Sequence, residues 1–367
     1  METITVTKSS MPPFEEYVEE IRDLWETRWL SNRGAKSIEL EKGLKEYLDV
    51  PNVWLFANGH VALEVTLQSL GMSGEVITTP YTHCSTTHAI VRSGLTPVFC
   101  DIEPEHLTID PNLIEGLITE NTCAIVATHV YGFLCDVEAI EEIAKKYGLK
   151  VIYDAAHAFG VEKAGVGAAN FGDAAMFSTH ATKVFHTIEG GIVAYKDASL
   201  LDKMQYLVNF GFTSHEDIDY VGTNARMNEF EAAMGICNLR HIDDDIARRK
   251  AAGDRYYERL SSIEGVRLLK IPSDLKWNYA YFPVLFDGAM DRNEVKGQLE
   301  KGGVFARKYF YPSMDDAACY RGTGRRQDLT VSHWAADHVL TLPMSSELTI
   351  ADVDRICDLI VQAKGGK

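Results

Sequence analysis

The chain has 367 residues and a formal net charge of −17, from 36 basic and 53 acidic side chains. Such a negative field repels polyanions, which argues against binding to nucleic acid or to an anionic membrane surface. Hydrophobic residues make up 46% of the sequence, enough for a sizeable core, and the length predicts two structural units. We expect these units to be residues 1–245 and 246–367.

Apolar stretches alternate with helical patterns along the first 200 residues. The predicted helices are FEEYVEEIRDLWETRWL, SIELEKGLKEYL, NGHVALEVTLQSL and DVEAIEEIAKKYG. The predicted strands are VWLFA, EVITTP, PVFCDI, CAIVATHV, KVIYDAA, AMFSTH and GGIVAY. Buried strands that alternate with helices predict an α/β fold with a mostly parallel sheet between helices.

The pattern changes towards the C-terminus. NLRHIDDDIARRKAAGDRYYERL, from residue 238, predicts a long polar helix that bridges the two units. YAYFPVLF predicts a strand and NEVKGQLEKGG a helix, and Thr349 with Asp352 three residues later opens a final helix. The apolar stripe of that helix is Val353, Ile356, Cys357 and Ile360. We therefore expect a smaller C-terminal α+β domain.

The spacing of the cysteines and the N-terminal sequence indicate the cellular compartment of the protein. The seven cysteines are widely spaced and include no CxxC pair, so neither a disulfide framework nor a structural zinc site is expected. METITVTKSSMPPFEE lacks the apolar core of a signal peptide, and no run of about 18 apolar residues could span a membrane. We expect a cytoplasmic protein with reduced thiols.

One lysine and one aspartate indicate a function. Asp154 ends the predicted strand of KVIYDAAHAFG, and Lys183 lies in FSTHATKVFHTIEGG, where Ser178 and His180 lead up to it. An amine for a Schiff base and a carboxylate for a protonated pyridine nitrogen are the minimum that pyridoxal phosphate requires of a protein. Either residue alone is more often a surface charge or a turn residue. The prediction of a pyridoxal phosphate site therefore rests on Asp154 and Lys183 together.

Further residues complete a candidate cofactor site. His157 could contact the ring or its phenolic oxygen, and a structural histidine is the alternative. Ser178 ends a predicted strand, and its hydroxyl suits a phosphate oxygen. Asn58, Gly59 and His60 form a turn before a helix, and backbone amides at such a helix start suit the same phosphate.

Other chemistries are not indicated. KAGVGAANFG has Asn170 where a dinucleotide fingerprint would have its third small residue, so hydride transfer by NAD is not predicted. The spacing of His83, Cys84 and His88 fits no common metal site, and we expect no metal. No GxSxG nucleophile motif is present.

The sequence resembles the fold-type-I pyridoxal-phosphate-dependent aminotransferases that act on nucleotide-linked ketosugars, the DegT group. The resemblance runs from about residue 4 to about residue 350, through ITTPY, TPVFCDIEPE, VYGFLCDVEAIEEIAKKYGLKVIYDAAHAFG, FSTHATKVFHTIEGG, NARMNEFEAAMG and LPMSSELT. The segment HATKVFHTIEGG is most similar to the branch that makes dTDP-4-amino-4,6-dideoxyglucose. The branch that aminates carbon 3 typically has a PGK motif with a Gly-rich tail.

The resemblance implies roles for the candidate residues. For the cofactor it implies a Schiff base on Lys183, a pyridinium partner in Asp154, a ring contact from His157 and phosphate contacts from Gly59, His60 and Ser178. Asn224 matches an asparagine that reaches the phosphate of the neighbouring subunit, which implies a homodimer with shared active sites. For the nucleotide sugar it implies contacts from Glu189, Arg226, Arg307, Tyr309 and Tyr311.

The implied reaction moves an amino group from L-glutamate, through pyridoxamine phosphate, to a nucleotide-linked 4-keto-6-deoxy sugar for surface-polysaccharide or secondary-metabolite glycosylation. Amination at carbon 3, or of another keto-sugar nucleotide, is the nearest alternative. A non-catalytic pyridoxal-phosphate-binding regulatory protein is the alternative of another class, and it would usually have lost Lys183 or Asp154. Two departures from the family are His83, where an aromatic side chain usually stacks on the cofactor ring, and His60, where threonine is common.

Overall fold

The computed structural model describes residues 3–322 and 327–364. The first elements are β1 (Ile4–Thr5), α1 (Phe14–Glu20), α2 (Leu24–Thr27), α3 (Ala35–Leu48), β2 (Val53–Phe56), α4 (Gly59–Ser69), β3 (Glu75–Thr78), α5 (Cys84–Arg92) and β4 (Thr96–Phe99). They are followed by α6 (Pro111–Ile114), β5 (Thr122–Thr128), α7 (Val137–Tyr147), β6 (Lys150–Asp154), β7 (Glu162–Lys163), β8 (Val166–Gly167), β9 (Ala174–Ser178), β10 (Gly191–Tyr195), α8 (Leu200–Val208) and α9 (Glu229–Leu260). The last elements are β11 (Val266–Leu268), β12 (Leu275–Lys276), β13 (Phe282–Phe286), α10 (Arg292–Lys301), β14 (Val304–Phe305), α11 (Thr330–His338), β15 (Val339–Leu342) and α12 (Ile350–Lys364).

A seven-stranded sheet forms the centre of the protein, in the order β2-β10-β9-β6-β5-β3-β4. Only β10 runs antiparallel to its neighbours in this sheet, and the remaining pairs are parallel. All of the strands predicted between residues 53 and 195 belong to it. The expected α/β fold with a mostly parallel sheet is confirmed.

Helices cover both faces of this sheet. Ile152 of β6 packs in one apolar cluster with Leu63 of α4 and Ile90 of α5. Its neighbour Tyr153 packs in another cluster with Ile140 of α7. Successive strand residues point to opposite faces, so this division places helices on each side of the sheet. Strands buried on both faces explain why their sequences are continuous apolar runs.

The C-terminal part contains a three-stranded antiparallel sheet in the order β11-β13-β15. α12 begins as predicted, because the Thr349 backbone N–H donates to the Asp352 carboxylate over 3.1 Å and the Asp352 N–H donates back to the Thr349 hydroxyl over 3.1 Å. The apolar stripe of α12 is fully buried. α9 contacts both α3 and α12, and the predicted boundary at residue 245 falls inside it and stays a prediction. Residues 1–2, 323–326 and 365–367 of the predicted units lie outside the described residues.

Two helix predictions are wrong in their extent. FEEYVEEIRDLWETRWL forms two short helices, α1 and α2, and the second ends at Arg28, which has a positive φ of 55°. Leu24 is buried, and the Tyr17 hydroxyl holds α1 on α9 through a 3.1 Å hydrogen bond to a backbone carbonyl. α9 begins at Glu229 rather than near residue 238, because Asn228 and Glu231 form a capping box.

Within the described ranges, no helix is both long enough and apolar enough to cross a membrane.

Candidate active site

A cavity of about 500 Å³ opens at the carboxyl ends of the central strands. The candidate residues that line it are Asn58, Gly59, His60, His83, Asp154, His157, Ser178, His180, Lys183, Glu189 and Tyr309. Asp154 ends β6 and Ser178 ends β9, and these two strands are parallel neighbours. Ligands of open α/β sheets bind at this edge, so the fold alone brings the two side chains to one site.

The start of α4 forms one wall of the cavity. Asn58 caps this helix, and its side-chain oxygen accepts the Val61 N–H over 2.9 Å. Gly59 is the first helical residue, and a Cβ at this position would lie 2.9 Å from the Ser178 Cβ. Glycine therefore lets α4 begin directly against β9. The backbone amides of this helix start and the Ser178 hydroxyl line the same part of the cavity, an arrangement that favours an anion.

Asp154 is a buried carboxylate held by neutral donors. The Thr86 hydroxyl donates to Asp154 Oδ2 over 2.6 Å, and the Ala156 N–H donates to Oδ1 over 3.1 Å. The Thr82 hydroxyl bridges Thr86 and Thr128 at 2.8 and 2.9 Å. Asp154 is only 3% exposed, and no ion pair to it occurs among the described residues. A buried carboxylate without a cation is costly, so the site favours a ligand with a protonated nitrogen.

Lys183 faces this cavity from the turn after β9. Its Nζ lies 3.4 Å from the Tyr281 hydroxyl and 5.5 Å from the centre of the Tyr281 ring. Its backbone N–H donates to the His180 carbonyl over 2.8 Å, which closes the turn. In the described part of the chain the amine forms no salt bridge. The amine is thus oriented by a hydroxyl and not neutralised by a carboxylate.

Burial lowers the pKa of two imidazoles in the cavity, which favours their neutral form. Burial holds the pKa of His157 well below its usual value, and the charge of Lys183 lowers this pKa further. His157 Nδ1 accepts the Tyr131 N–H over 3.1 Å, so the ring proton resides on Nε2 and is available to a ligand. Burial and then Lys183 also lower the pKa of His83, whose Nδ1 accepts the Ser85 N–H over 3.2 Å. The expected stacking of His83 on a cofactor ring stays a prediction.

His60 is fixed by its neighbours. Its Nδ1 lies 2.9 Å from the Ser85 hydroxyl, and its Nε2 lies 3.6 Å from the Glu64 carboxylate. Glu64 is in turn paired with Arg92 at 2.8 Å. The threonine hydroxyl common in the family at position 60 is absent, and the Ser85 hydroxyl lines the same cavity. This serine was not among the residues predicted from the sequence.

These residues fit pyridoxal phosphate. An amine, a buried carboxylate without a cationic partner and a helix start beside a serine hydroxyl match an aldehyde, a ring nitrogen and a phosphate. The sequence profile of the DegT/DnrJ/EryC1/StrS aminotransferase family matches residues 14–361. The chain belongs to this family.

Similar proteins support this membership over the whole chain. A dTDP-4-amino-4,6-dideoxy-D-glucose transaminase of Shigella dysenteriae is 42% identical over 364 residues, 98% of this chain and 99% of the relative. A protein of the same name from Escherichia coli is 38% identical, with 98% of each chain covered. The crystal structure of DesI in the presence of its TDP-sugar product superposes with a TM-score of 0.95 at 32% identity and covers 100% of this chain and 94% of DesI. The protein is therefore an aminotransferase with the fold of this family.

Four residues assigned from the aminotransferase family do not line the cavity of their own chain. Asn224 is exposed, and Arg226 lies beside it in a separate surface pocket. Arg307 does not line the cavity, although it donates over 2.8 Å to the hydroxyl of Tyr309, which does. Tyr311 is 51% exposed, with cationic side chains over its ring. Their expected contacts to a neighbouring cofactor or to substrate stay predictions.

Several cavity residues were not predicted from the sequence. Tyr281 comes from the C-terminal part of the chain, as does Phe310, which lies between Tyr309 and Tyr311 in the segment expected to contact the nucleotide sugar. The Tyr131 hydroxyl donates to the Tyr309 carbonyl and lies 2.7 Å from the Tyr81 hydroxyl, which attaches this part over the cavity. Tyr81 and Tyr131 belong to the family segments ITTPY and VYGF, which was the available signal. Nothing in the local sequence connects Tyr281 to Lys183.

Two further expectations concern metal sites and disulfide bonds. Within residues 3–322 and 327–364, the one group of side chains close enough to share a metal ion is Asp315, Asp316 and His333. It includes neither His83 nor Cys84, and its His333 Nε2 already lies 3.0 Å from an Asp315 oxygen. All seven cysteines are unbridged.

Proposed function

We propose that this aminotransferase uses pyridoxal phosphate to move an amino group from L-glutamate to a nucleotide-linked 4-keto-6-deoxy sugar, with dTDP-4-keto-6-deoxy-D-glucose as the substrate. The observation that carries the proposal is that Lys183 and the cation-free carboxylate of Asp154 line one cavity. The names of the two similar transaminases and the TDP-sugar product of DesI support the choice of sugar nucleotide.

The residues of the cavity have different roles in the proposed reaction. Bound pyridoxal phosphate supplies a carbonyl for amines and, with its ring nitrogen protonated, an electron sink for a developing carbanion. Asp154 holds the proton on that ring nitrogen, and Thr86 keeps the carboxylate oriented through its 2.6 Å hydrogen bond. Lys183 holds the cofactor and, when released, moves a proton to and from the substrate carbon. His157 Nδ1 accepts the Tyr131 N–H, so its Nε2–H would be available to donate to an oxygen of the bound ring.

The sugar enters at the rim of the cavity in this proposal. Glu189 is exposed there, and its carboxylate lies 3.5 Å from His180 Nε2. His180 Nδ1 lies 2.8 Å from the Thr182 hydroxyl, so the imidazole is fixed on both sides. A carboxylate and polar side chains at a rim can accept and donate hydrogen bonds to sugar hydroxyls.

We also propose a homodimer in which each active site receives Asn224 from the other chain. Asn224 lies on a surface where large apolar side chains are exposed, including Phe210 at 46%, Ile218 at 62% and Val221 at 96%. Exposed apolar patches of this kind are typical of interaction sites. For the location we propose the cytoplasm, which the unbridged cysteines favour.

The test is an amination assay with a panel of keto-sugar nucleotides and L-glutamate. We expect dTDP-4-keto-6-deoxy-D-glucose to be converted to a 4-amino sugar, with the aminated carbon assigned by NMR and 2-oxoglutarate formed in equal amount. Lys250→Ala is the matched control, because Lys250 is an exposed lysine paired with Asp254 on α9. Amination at carbon 3 would place the protein in the other branch. Failure to aminate any keto-sugar nucleotide would refute the proposal.

A further inference from the structure

Arg226 is surrounded by acceptors from its own chain. Its Nη1 donates to Asn32 Oδ1 at 2.5 Å and to Asn209 Oδ1 at 2.8 Å, and its Nη2 donates to Asn224 Oδ1 at 3.1 Å. The guanidinium carbon lies 5.4 Å from the centre of the Phe210 ring. A guanidinium can only donate, so all three amide groups must turn their oxygens towards it. Three of the five guanidinium N–H groups of Arg226 are thus bound within its own chain.

The orientation of Asn224 follows from this contact. Because its oxygen faces Arg226, its amide N–H groups are directed elsewhere, and they bind no acceptor among the described residues. The backbone on either side is fixed. The Ala225 N–H donates to the Val208 carbonyl over 3.1 Å, and the Ala57 N–H donates to the Ala225 carbonyl over 2.8 Å. Two donors are therefore presented to the exterior from a rigid segment.

A buried carboxylate supports the turn that supplies Asn32. Asn32 and Arg33 have positive φ values of 64° and 58°, which side chains other than glycine rarely adopt. The fully buried Glu229 accepts the backbone N–H of Gly34 over 2.9 Å and that of Lys36 over 2.8 Å. These hydrogen bonds hold the strained turn in place. Glu229 thereby keeps Asn32 within reach of Arg226.

We propose that Arg226 is a positioning residue, which fixes Asn224 so that its amide N–H groups meet the cofactor phosphate bound in a second copy of this chain. Asn32, Asn209 and Glu229 are the supports of this arrangement. The inference rests on the proposed function and replaces the expected contact between Arg226 and the nucleotide sugar. It predicts a defect in phosphate recognition and not in substrate binding.

The test compares affinities for pyridoxal phosphate and for pyridoxal, which lacks the phosphate. Both are measured by absorbance titration of full-length protein from which the cofactor has been removed. We expect Asn224→Ala and Arg226→Ala each to weaken pyridoxal phosphate binding about tenfold, as loss of one hydrogen bond to a charged group does. The double variant should be no weaker than either single variant. Pyridoxal affinity should stay unchanged, as should both affinities of the control Lys250→Ala.

A second variant tests whether a loss of cofactor affinity is caused by misfolding. Asn32→Gly removes one acceptor of Arg226 but keeps a residue that tolerates φ of 64°. We expect it to weaken pyridoxal phosphate binding in the same direction, at an unchanged melting temperature. Additive losses in the double variant, or equal losses for pyridoxal, would overturn the inference. So would a rise in KM for the sugar nucleotide with cofactor affinity intact. A wild-type protein that binds no pyridoxal phosphate would instead refute the proposed function.

Discussion

The Thr86 hydroxyl on α5 donates to Asp154 Oδ2 at the end of β6 over 2.6 Å. Together with the Ala156 N–H it occupies both oxygens of a buried carboxylate, yet neither donor carries a charge. A carboxylate in this setting retains its attraction for a cation, because neutral donors orient it without neutralising it. This relationship makes the contributions of Asp154 and Thr86 separable by mutation.

Asp154→Asn should nearly abolish turnover, and Thr86→Val should reduce it. Removing one partner of a buried ionic contact costs roughly 3–5 kcal/mol, which corresponds to a loss in kcat on the order of 100-fold or more. Loss of the hydroxyl in Thr86→Val removes a hydrogen bond to a charged group, worth about 1.5–3 kcal/mol. Single-turnover rates with L-glutamate measure both effects. Equal activity of Asp154→Asn and wild type would contradict the assignment of Asp154.

Much of this site was predictable, for a physical reason. Asp154 and Ser178 end adjacent parallel strands, so a pattern of strands and helices is enough to bring them together. Tyr281 could not be predicted, because its contact with Lys183 depends on how the C-terminal part packs on the sheet. The break between α1 and α2 was also missed. Helical periodicity continues through residues 21–23, so the local pattern does not mark the break.

Lys183→Ala should be inactive and should no longer retain the cofactor covalently. The amine is the one cavity group that can bond to the cofactor aldehyde, and its Nζ lies 3.4 Å from the Tyr281 hydroxyl. Borohydride treatment of the yellow wild-type protein should attach the cofactor to the peptide that contains Lys183, as measured by mass spectrometry. Attachment to a different lysine would show that the wrong residue was assigned. Lys250→Ala should retain both colour and activity.

Gly59→Ala should weaken cofactor binding through a steric effect. The added Cβ would lie 2.9 Å from the Ser178 Cβ, so α4 must move away from β9 and its amides from the phosphate position. We expect a cofactor dissociation constant about tenfold higher or more, consistent with strain of about 1–3 kcal/mol. Gly297→Ala is the matched control, because no atom lies within 4 Å of its new Cβ and α10 is helical there. An unchanged affinity in Gly59→Ala would argue against a phosphate at this helix start.

Acid should destabilise the protein through buried histidines. Burial lowers the pKa of His129 from its ordinary 6.5 to about 3. As pH falls below 6.5, the unfolded chain takes up a proton that the folded chain refuses, so stability is lost down to the folded pKa. The expected slope is about 1.4 kcal/mol per pH unit for this residue alone. Urea unfolding at pH 7 and pH 5 measures this loss.

His129→Asn should reduce that pH dependence. The amide oxygen of the introduced asparagine can still accept the Cys135 N–H, whose nitrogen lies 3.1 Å from His129 Nδ1 in the wild-type protein. The variant is thus expected to differ less between the two pH values, even if it is less stable overall. His215→Asn, at an exposed histidine, should behave like wild type. If the stability of His129→Asn fell with pH as steeply as that of wild type, the acid sensitivity would belong to other groups. One such group is His157, because burial also lowers its pKa.

At a pyridoxal phosphate concentration too low to fill the weakened sites of Asn224→Ala, mixing this variant with the inactive Lys183→Ala should restore activity if the active site is shared. In a hybrid of Lys183→Ala and Asn224→Ala, one cavity receives both damaged residues and the other receives neither. With random exchange about half of the dimers are hybrids, so about one quarter of wild-type activity should return. A mixture of Lys183→Ala with Asp154→Asn is the control, because both residues line the cavity of one chain and no intact site can form. Activity that never exceeds the sum of the two parents would place Asn224 outside the neighbouring site. The hydrogen bonds around Arg226 would then not position Asn224 for a cofactor phosphate.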